Sequence, residues 1–136
     1  MESSEYKIRL SEEDWQKKLT QKQFLVLRKG ETDAPFTGEY VNFHEDGLFT
    51  CAACGSELFS SGDKYDSRSG WPSFTKPVAE NKIKLRKDTS HNMIRTEALC
   101  GSCGSHLGHL FDDGPGVDGQ RWCINSTSLE FNNKNT

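Results

Sequence analysis

The chain has 136 residues, of which 33% are hydrophobic, and its 17 basic and 20 acidic side chains give a formal net charge of −3. This length suits one domain with a modest apolar core, and the acidic balance argues against a nucleic-acid binder. No apolar run approaches the roughly 18 residues of a membrane span, and the N-terminus lacks the apolar core of a signal peptide. We expect a single domain over 1–136, ordered over about 6–131, in the reducing cytoplasm.

Two short helices are predicted near the N-terminus. Ser11 precedes three acidic residues and is a suitable N-cap, because its hydroxyl and the acids complement the positive end of a helix. A second helix is predicted from Thr20, since Gln23 lies three residues on and completes a capping box. The side chains expected to face the body of the protein are Phe24, Leu25 and Leu27.

After Gly38 the pattern changes from helical to extended. Residues 82–86 alternate between polar and apolar, which is the period of a strand. Further strands are predicted over 39–43 and 47–50, joined by a turn, and over 93–99 and 121–129. Loops are predicted over 60–70 and 112–119, and the polar residues after Phe131 are expected to fray.

Four of the five cysteines form two C-x-x-C-G pairs, Cys51 with Cys54 and Cys100 with Cys103. Each pair can bring two sulfurs to one metal, and the following glycine lets the backbone turn beneath them. Four thiolates favour a tetrahedral structural zinc site, with iron as the alternative. Redox pairs of the thioredoxin type are a further alternative, but those belong to a βαβ pattern and no helix is predicted after either pair.

The fifth cysteine, Cys123, lies in the segment R-W-C-I-N. If this segment is a strand, Trp122 and Ile124 point to the core, and Arg121, Cys123 and Asn125 share the opposite face. A guanidinium beside a thiol is expected to lower the thiol pKa, and the amide could bond to a substrate oxygen or to the thiolate. The pattern therefore indicates a reactive thiol; the alternative is a buried, inert cysteine.

Two further segments carry candidate site residues. His106 and His109 follow the second cysteine pair and suit acid–base or oxygen-polarising roles near a nucleophile. Satisfied histidines without a chemical role, or ligands of a second metal, are the alternatives. The segment G-W-P-S-F, with Trp71, could present an exposed aromatic wall, or the tryptophan could simply anchor its loop.

Taken together, these segments resemble the B-type methionine sulfoxide reductases. The resemblance rests on A-P-F-T-G-E-Y, C-A-A-C-G, G-W-P-S-F, C-G-S-C-G-S-H-L-G-H-L-F-D-D-G-P and R-W-C-I-N-S, and runs from about residue 10 to 129. It implies a mainly β fold, in which two antiparallel sheets form a small barrel-like core with short N-terminal helices and a four-cysteine zinc site. It also implies thiol-dependent reduction of the R epimer of methionine sulfoxide, in the repair of oxidised proteins.

The resemblance also implies residue roles. Cys123 would attack the sulfoxide sulfur and become a sulfenic acid, and His109 is the first choice of proton donor. Trp71 would contact the substrate methyl group, and Arg121 would tune the thiolate. The implied catalytic residues are Cys123, His109, His106, Asn125 and Arg121, and the implied substrate-binding residues are Trp71, Phe74 and Phe111.

One departure from the family pattern concerns recycling of the oxidised enzyme. Many members carry a resolving cysteine in the loop before G-W-P-S-F, whereas this loop has none and Ser69 stands where some relatives have one. We therefore predict a one-cysteine cycle in a monomer, with thioredoxin or glutathione and glutaredoxin as the external thiol, and no nucleic-acid or membrane partner. The competing hypothesis is a non-catalytic zinc-ribbon module that binds protein or RNA.

Overall fold

Two helices lie at the start of the computed structural model, which describes residues 6–133 apart from the side chain of residue 91. Both α1 (Glu12–Lys18) and α2 (Gln21–Lys29) begin at the caps predicted from the sequence. The Ser11 hydroxyl accepts a backbone N–H at 3.1 Å, and Thr20 forms the reciprocal capping box. Neither helix has the length and apolar character needed to cross a bilayer.

The buried face of α2 differs from the predicted one at a single position. Phe24, Val26 and Leu27 are buried, whereas Leu25 is only half-buried. A helix advances about 100° per residue, so Leu25 lies on the opposite side of the helix from Leu27. The expectation for Leu25 is therefore wrong, and Val26 takes its place in the core.

Nine strands form two antiparallel sheets in the described part of the chain. A three-stranded sheet has the order β2-β1-β9, and a six-stranded sheet has the order β3-β4-β8-β7-β6-β5. The predicted fold class, mainly β with two antiparallel sheets, short N-terminal helices and a four-cysteine cluster, is confirmed. The strands are β1 (Gly47–Cys51), β2 (Glu57–Ser60), β3 (Lys64–Tyr65), β4 (Ser73–Phe74), β5 (Ile83–Asp88), β6 (Arg95–Cys100), β7 (His106–Phe111), β8 (Arg121–Ile124) and β9 (Leu129–Asn133).

Aromatic side chains fill the space between the two sheets. Phe49 of β1 meets Phe74 of β4 edge to face at 5.3 Å, and Phe59 of β2 stacks on Phe74 at 4.4 Å. Trp122 of β8 packs against Phe59 from the six-stranded sheet. Each such fully buried ring contributes about 1.5–3 kcal/mol of hydrophobic free energy. This core fixes which face of β8 is turned inward.

The strand predicted over 39–43 is wrong, because this segment forms a turn. The N–H of Val41 bonds to the carbonyl of Gly38, and the N–H of Tyr40 bonds to the Ser126 hydroxyl at 3.1 Å. The Tyr40 ring is buried against Phe49. Its aromatic residues therefore serve the core without entering a sheet, and β1 pairs instead with β2 and β9.

The strand predicted over 121–129 is in fact two strands in different sheets. β8 ends at Ile124, a 3₁₀ turn covers Ser126–Ser128, and β9 continues in the three-stranded sheet. The Ser128 hydroxyl donates to the carbonyl of His106 at 2.9 Å, which holds the turn against β7. Fraying after Phe131 is also wrong as far as Asn133, which pairs with β1; the last three residues of the predicted tail lie outside the described range.

Candidate active site and metal centre

One face of the six-stranded sheet carries a row with one residue from each strand. Antiparallel pairing sets Cys123 of β8 directly between His109 of β7 and Ser73 of β4. Neighbouring strands are about 4.8 Å apart, so the side chains of directly paired residues are within reach of one another. The complete row, in strand order, is Tyr65, Ser73, Cys123, His109, Glu97 and Arg86.

A cavity of about 170 Å³ lies beside the Cys123 thiol. The three side chains predicted to share a face, those of Arg121, Cys123 and Asn125, all line it, even though Asn125 lies just past the end of the strand. The structure brings six predicted site residues together here: Cys123, His109, Asn125, Arg121, Trp71 and Phe111.

Two predicted site residues lie elsewhere. Phe74 is fully buried in the core between the sheets, because on the short strand β4 it points away from the face that carries Ser73. His106 is buried with Nδ1 2.6 Å from a carboxylate oxygen of Glu97, and it lines a separate cavity near α2. His106 does not line the cavity but contacts His109, which does: the two rings pack edge to face with 5.5 Å between centroids.

The segment between α2 and β1, which contains Asp33, anchors the walls of the cavity. The indole Nε1 of Trp71 donates to the carbonyl of Asp33 at 2.9 Å. The N–H of Asp33 in turn bonds to the amide oxygen of Asn125 at 3.0 Å, and the Asn125 amide nitrogen donates to the carbonyl of Leu107 at 3.2 Å. A second hydrogen on that nitrogen remains for a ligand in the cavity. Trp71 and Asn125 are thus held in fixed orientations.

Arg121 lies two residues before Cys123 on the same face of β8 and lines the same cavity. It makes two hydrogen bonds to Asp113, from Nε at 2.8 Å and from Nη2 at 3.3 Å, and its guanidinium sits 4.3 Å above the Phe111 ring. Bidentate pairing and stacking fix a guanidinium in one orientation. The pairing with Asp113 also raises the pKa of Arg121, so a fixed positive charge stands beside Cys123.

Burial raises the pKa of the Cys123 thiol above its usual value. Arg121 and a hydrogen bond from Ser69 act in the opposite direction, but burial outweighs them. The sequence-based expectation of a lowered pKa is therefore wrong in net sign, although the contribution of Arg121 has the expected direction. Ser69, which stands where some relatives have a resolving cysteine, is thus a contact of the thiol.

Asp88 is a site residue that the sequence did not reveal. Its Oδ2 lies 2.7 Å from Nε2 of His109 and accepts from Nη2 of Arg95 at 3.5 Å, and its Oδ1 accepts the N–H of Ser90 at 2.9 Å. The hydrogen bond with His109 holds the pKa of Asp88 well below its usual range. Burial lowers the pKa of His109, while Asp88 pulls it back upward.

The two cysteine pairs converge to form a candidate metal centre. Each begins a tight turn of the same form, in which Gly55 bonds to the carbonyl of Cys51 and Gly104 to that of Cys100, both at 2.8 Å. Both glycines have positive φ, at 83° and 78°, which favours glycine over other residues.

The spacing of the four sulfurs fits a tetrahedral ion. All of them lie within 4.8 Å of one another, and two of the pairs are 3.8 and 3.6 Å apart. A tetrahedron with metal–sulfur bonds of about 2.3 Å has edges of about 3.8 Å, so these positions need little adjustment to hold one ion. The four predicted ligands are Cys51, Cys54, Cys100 and Cys103.

The fold and these two sites define a β protein in which four thiols converge on a metal position and a fifth faces a ligand cavity. The SelR domain family matches residues 19–133, and the chain belongs to this family. A peptide methionine sulfoxide reductase MsrB of Leptospira interrogans is 52% identical, over 93% of this chain and 96% of its own length. Relatives with the same name from Hahella chejuensis and Methanosarcina barkeri are 50% and 51% identical, over 92% and 91% of this chain and 90% and 87% of their own lengths.

Membership of this family confirms the resemblance to B-type methionine sulfoxide reductases and, with it, the enzyme class, peptide-methionine (R)-S-oxide reductase. Among solved structures, the crystal structure of a Mis18 "Yippee-like" domain matches with a TM-score of 0.52 at 16% identity. The match covers 65% of this chain and 96% of that one, and at this identity it reflects a shared fold only.

Proposed function

We propose that this chain reduces the R epimer of methionine sulfoxide in oxidised peptides and proteins, with Cys123 as the nucleophile and an external thiol as the electron donor. The observation that carries the proposal is the direct cross-strand pairing of Cys123 with His109 on a cavity that Trp71 and Phe111 also line. A nucleophile and an acid side by side, facing an aromatic wall, suit a small sulfoxide whose oxygen must be protonated as it leaves.

In the first half-reaction the Cys123 thiolate attacks the sulfoxide sulfur. The S–O bond of the substrate breaks, the oxygen gains a proton and passes to the cysteine, and methionine departs. The substrate sulfur is reduced by two electrons and Cys123 is oxidised by two, to a sulfenic acid. His109 supplies the proton, which is worth roughly 10²–10⁴ in rate, and the remaining N–H of Asn125 bonds to the oxygen.

The raised pKa of Cys123 is compatible with this role because the thiolate need form only as the substrate reacts. His109 is adjacent and can accept the thiol proton before it donates that proton to the sulfoxide oxygen. Arg121 and Ser69 stabilise the negative charge in between. One proton then serves both steps, and the resting cysteine stays protonated, which slows its reaction with other oxidants.

Asp88 acts as a positioning residue for His109. Its hydrogen bond to Nε2 directs the other ring nitrogen toward the cavity, and its charge favours the protonated ring. His106, held by Glu97, acts through its edge-to-face contact with His109 and touches no substrate.

The four clustered cysteines hold a structural zinc ion in this proposal. Their sulfur spacing and the all-thiolate donor set support zinc, which prefers closed tetrahedral sulfur sites. When bound, the ion would supply cross-linking of β1, β6 and the turns that follow them, and a filled shell leaves no position for chemistry.

An external thiol completes the cycle, because the sequence contains five cysteines and four belong to the metal cluster. The sulfenic acid of Cys123 therefore has no partner within the chain with which to form a disulfide. Thioredoxin, or glutathione with glutaredoxin, is the expected donor. Non-reducing peptide mapping after turnover would contradict this cycle if it found Cys123 linked to another cysteine of the same chain.

The deciding experiment is reduction of a racemic, chromophore-tagged methionine sulfoxide with dithiothreitol, followed on a chiral column. Wild type should consume only the R epimer, and Cys123→Ser should consume neither. No turnover by folded, metal-loaded wild type would contradict the proposal and favour the non-catalytic binding module.

A further inference from the structure

A second cavity, of about 480 Å³, adjoins the cavity of about 170 Å³ beside Cys123, which is the proposed substrate cavity. The two share the side chains of Ser69 and Arg121, and their other lining residues differ. The mechanism above uses nothing else in this second cavity. Its remaining walls include Tyr65, Asp66, Ser67, Asp113 and Pro115.

The order of strands places this cavity on a defined side of the reactive sulfur. β8 lies between β7, which carries His109, and β4, beyond which β3 carries Tyr65. The proton donor thus stands on one side of Cys123, and the second cavity opens on the other. Since His109 bonds to the sulfoxide oxygen, the oxygen left on the sulfenic acid points toward β7.

Reduction of a sulfenic acid is a displacement at sulfur, in which the incoming thiolate and the departing oxygen lie on opposite sides of the sulfur atom. A thiol that reduces Cys123 must therefore approach from the side of β4 and β3, between Ser69 and Arg121. The second cavity lies on that path.

We propose that this second cavity, the reductant cavity, binds a low-molecular-weight thiol that reduces the Cys123 sulfenic acid. The inference rests on the proposed function. The thiolate of the incoming molecule forms a bond to the Cys123 sulfur, the S–O bond breaks, and the oxygen leaves as water after gaining a proton from His109. A second molecule of thiol then releases Cys123 by disulfide exchange, which yields a small-molecule disulfide.

The lining of the cavity indicates what kind of thiol it accepts. Arg121 and Asp113 form an ion pair, and the exposed carboxylate of Asp66 adds a negative charge at the rim. We expect a thiol with a protonated amine to react faster than one with a carboxylate.

The test separates the two half-reactions and uses a matched pair of bulky substitutions. Pro115→Trp adds a large ring to the wall of the reductant cavity, whereas Val117→Trp adds the same ring to a fully exposed position of the same loop. Methionine formed by reduced enzyme in a single turnover without reductant measures the first half-reaction. Regeneration of the Cys123 thiol by cysteamine, at several concentrations, measures the second.

Pro115→Trp should slow thiol regeneration about tenfold or more and leave the single-turnover rate unchanged, and Val117→Trp should change neither. Unchanged regeneration in Pro115→Trp, or equal slowing by both substitutions, would overturn the proposal. So would slowing with thioredoxin alone, since this outcome would assign the surface to a protein partner.

A second arm oxidises Cys123 with one equivalent of hydrogen peroxide and so makes the sulfenic acid without any sulfoxide. Failure of sulfoxide reduction would contradict the proposed function, while this arm would still test the cavity.

A charge series then compares cysteamine with 3-mercaptopropionate. Asp66→Asn keeps the side-chain oxygen that accepts the N–H of Arg68 and should lower the preference for cysteamine by about twofold to fivefold at low salt. An unchanged preference would refute the assigned charge selectivity.

Discussion

The candidate metal centre and the proposed active site both depend on cysteine sulfur, but they surround it differently. Three of the four clustered cysteines are buried, and each sulfur lies close to the other sulfurs, with the Ser105 hydroxyl as a further contact of Cys103. Cys123 is half-buried, with Arg121, Ser69 and His109 around it and a cavity in front of it. Converging thiols favour a cation, whereas a single thiol beside a charge and an imidazole favours nucleophilic chemistry. The neighbours, and not the cysteine itself, decide the role.

The two regions also depend on different parts of the fold. The cysteine pairs are set by short turns whose hydrogen bonds lie within five residues of chain. The surroundings of Cys123 are formed by the strands that pair with β8, by the loop that carries Ser69 and by the Arg121–Asp113 ion pair. Substitutions in the first region should therefore change stability, and those in the second should change rate.

The largest effect is expected from loss of the metal. Structural zinc contributes about 10–16 kcal/mol in zinc-finger peptides, so Cys100→Ser or strong chelation should abolish cooperative unfolding. Thermal denaturation followed by circular dichroism, with metal content measured in parallel, would check this. Cys123→Ser is the matched control and should keep both the metal and the unfolding temperature. A stable, metal-free Cys100→Ser protein would contradict the assignment of stability to the cysteine pairs.

The next effect concerns His109, the proposed proton donor. His109→Gln removes the acid but preserves a polar side chain, and kcat should fall by roughly 10²–10⁴ with little change in unfolding temperature. His44→Gln, at an exposed position, should leave kcat unchanged. A loss of less than about threefold would remove His109 from the role of principal acid.

A smaller effect is expected at Asp88, where the pH profile is the informative measurement. Asp88 raises the pKa of His109 against the effect of burial, so Asp88→Asn should lower that pKa further. Because the ring must be neutral to accept the thiol proton, the acid fall in kcat should shift toward lower pH, and the weaker base should cost roughly a tenfold loss at neutral pH. A uniform loss with an unshifted profile would show that Asp88 has only a structural role.

The smallest effect is expected at Ser69. Its hydrogen bond lowers the pKa of Cys123, so Ser69→Ala should raise that pKa and slow alkylation of the thiol a few-fold at neutral pH. The rate of iodoacetamide labelling as a function of pH measures this shift. Faster labelling in the variant would mean that Ser69 shields the thiol instead of stabilising its anion.

Features determined by neighbouring residues could be predicted from the sequence. The caps at Ser11 and Thr20 and the two C-x-x-C-G turns depend on hydrogen bonds between residues a few positions apart. The alternating faces of Trp122 and Cys123 follow from the period of a strand. These predictions needed no knowledge of which strands are neighbours.

Features that depend on strand register could not be predicted in this way. Asp88 meets His109 from two strands away, and nothing in either segment specifies the pairing that joins them. β7 has no simple strand pattern because it contains Gly108, where a Cβ atom would lie 2.0 Å from the carbonyl oxygen of Cys123. Phe74 belongs to the core because of its pairing with Trp122. Phe74 is three residues after Trp71, and strand alternation puts such residues on opposite faces, so the sequence could have suggested that only one of them lines the cavity.

The position of β8 within the six-stranded sheet has a consequence for how the chain is made. β8 joins the β3–β4 hairpin to β7, and β9 then completes the other sheet, yet these two strands follow all others in sequence. On a ribosome, all four clustered cysteines emerge before Cys123 does. The nascent chain can thus bring these four thiols together while the sheet is still open, and it acquires the proposed nucleophile only with the segment that closes the fold.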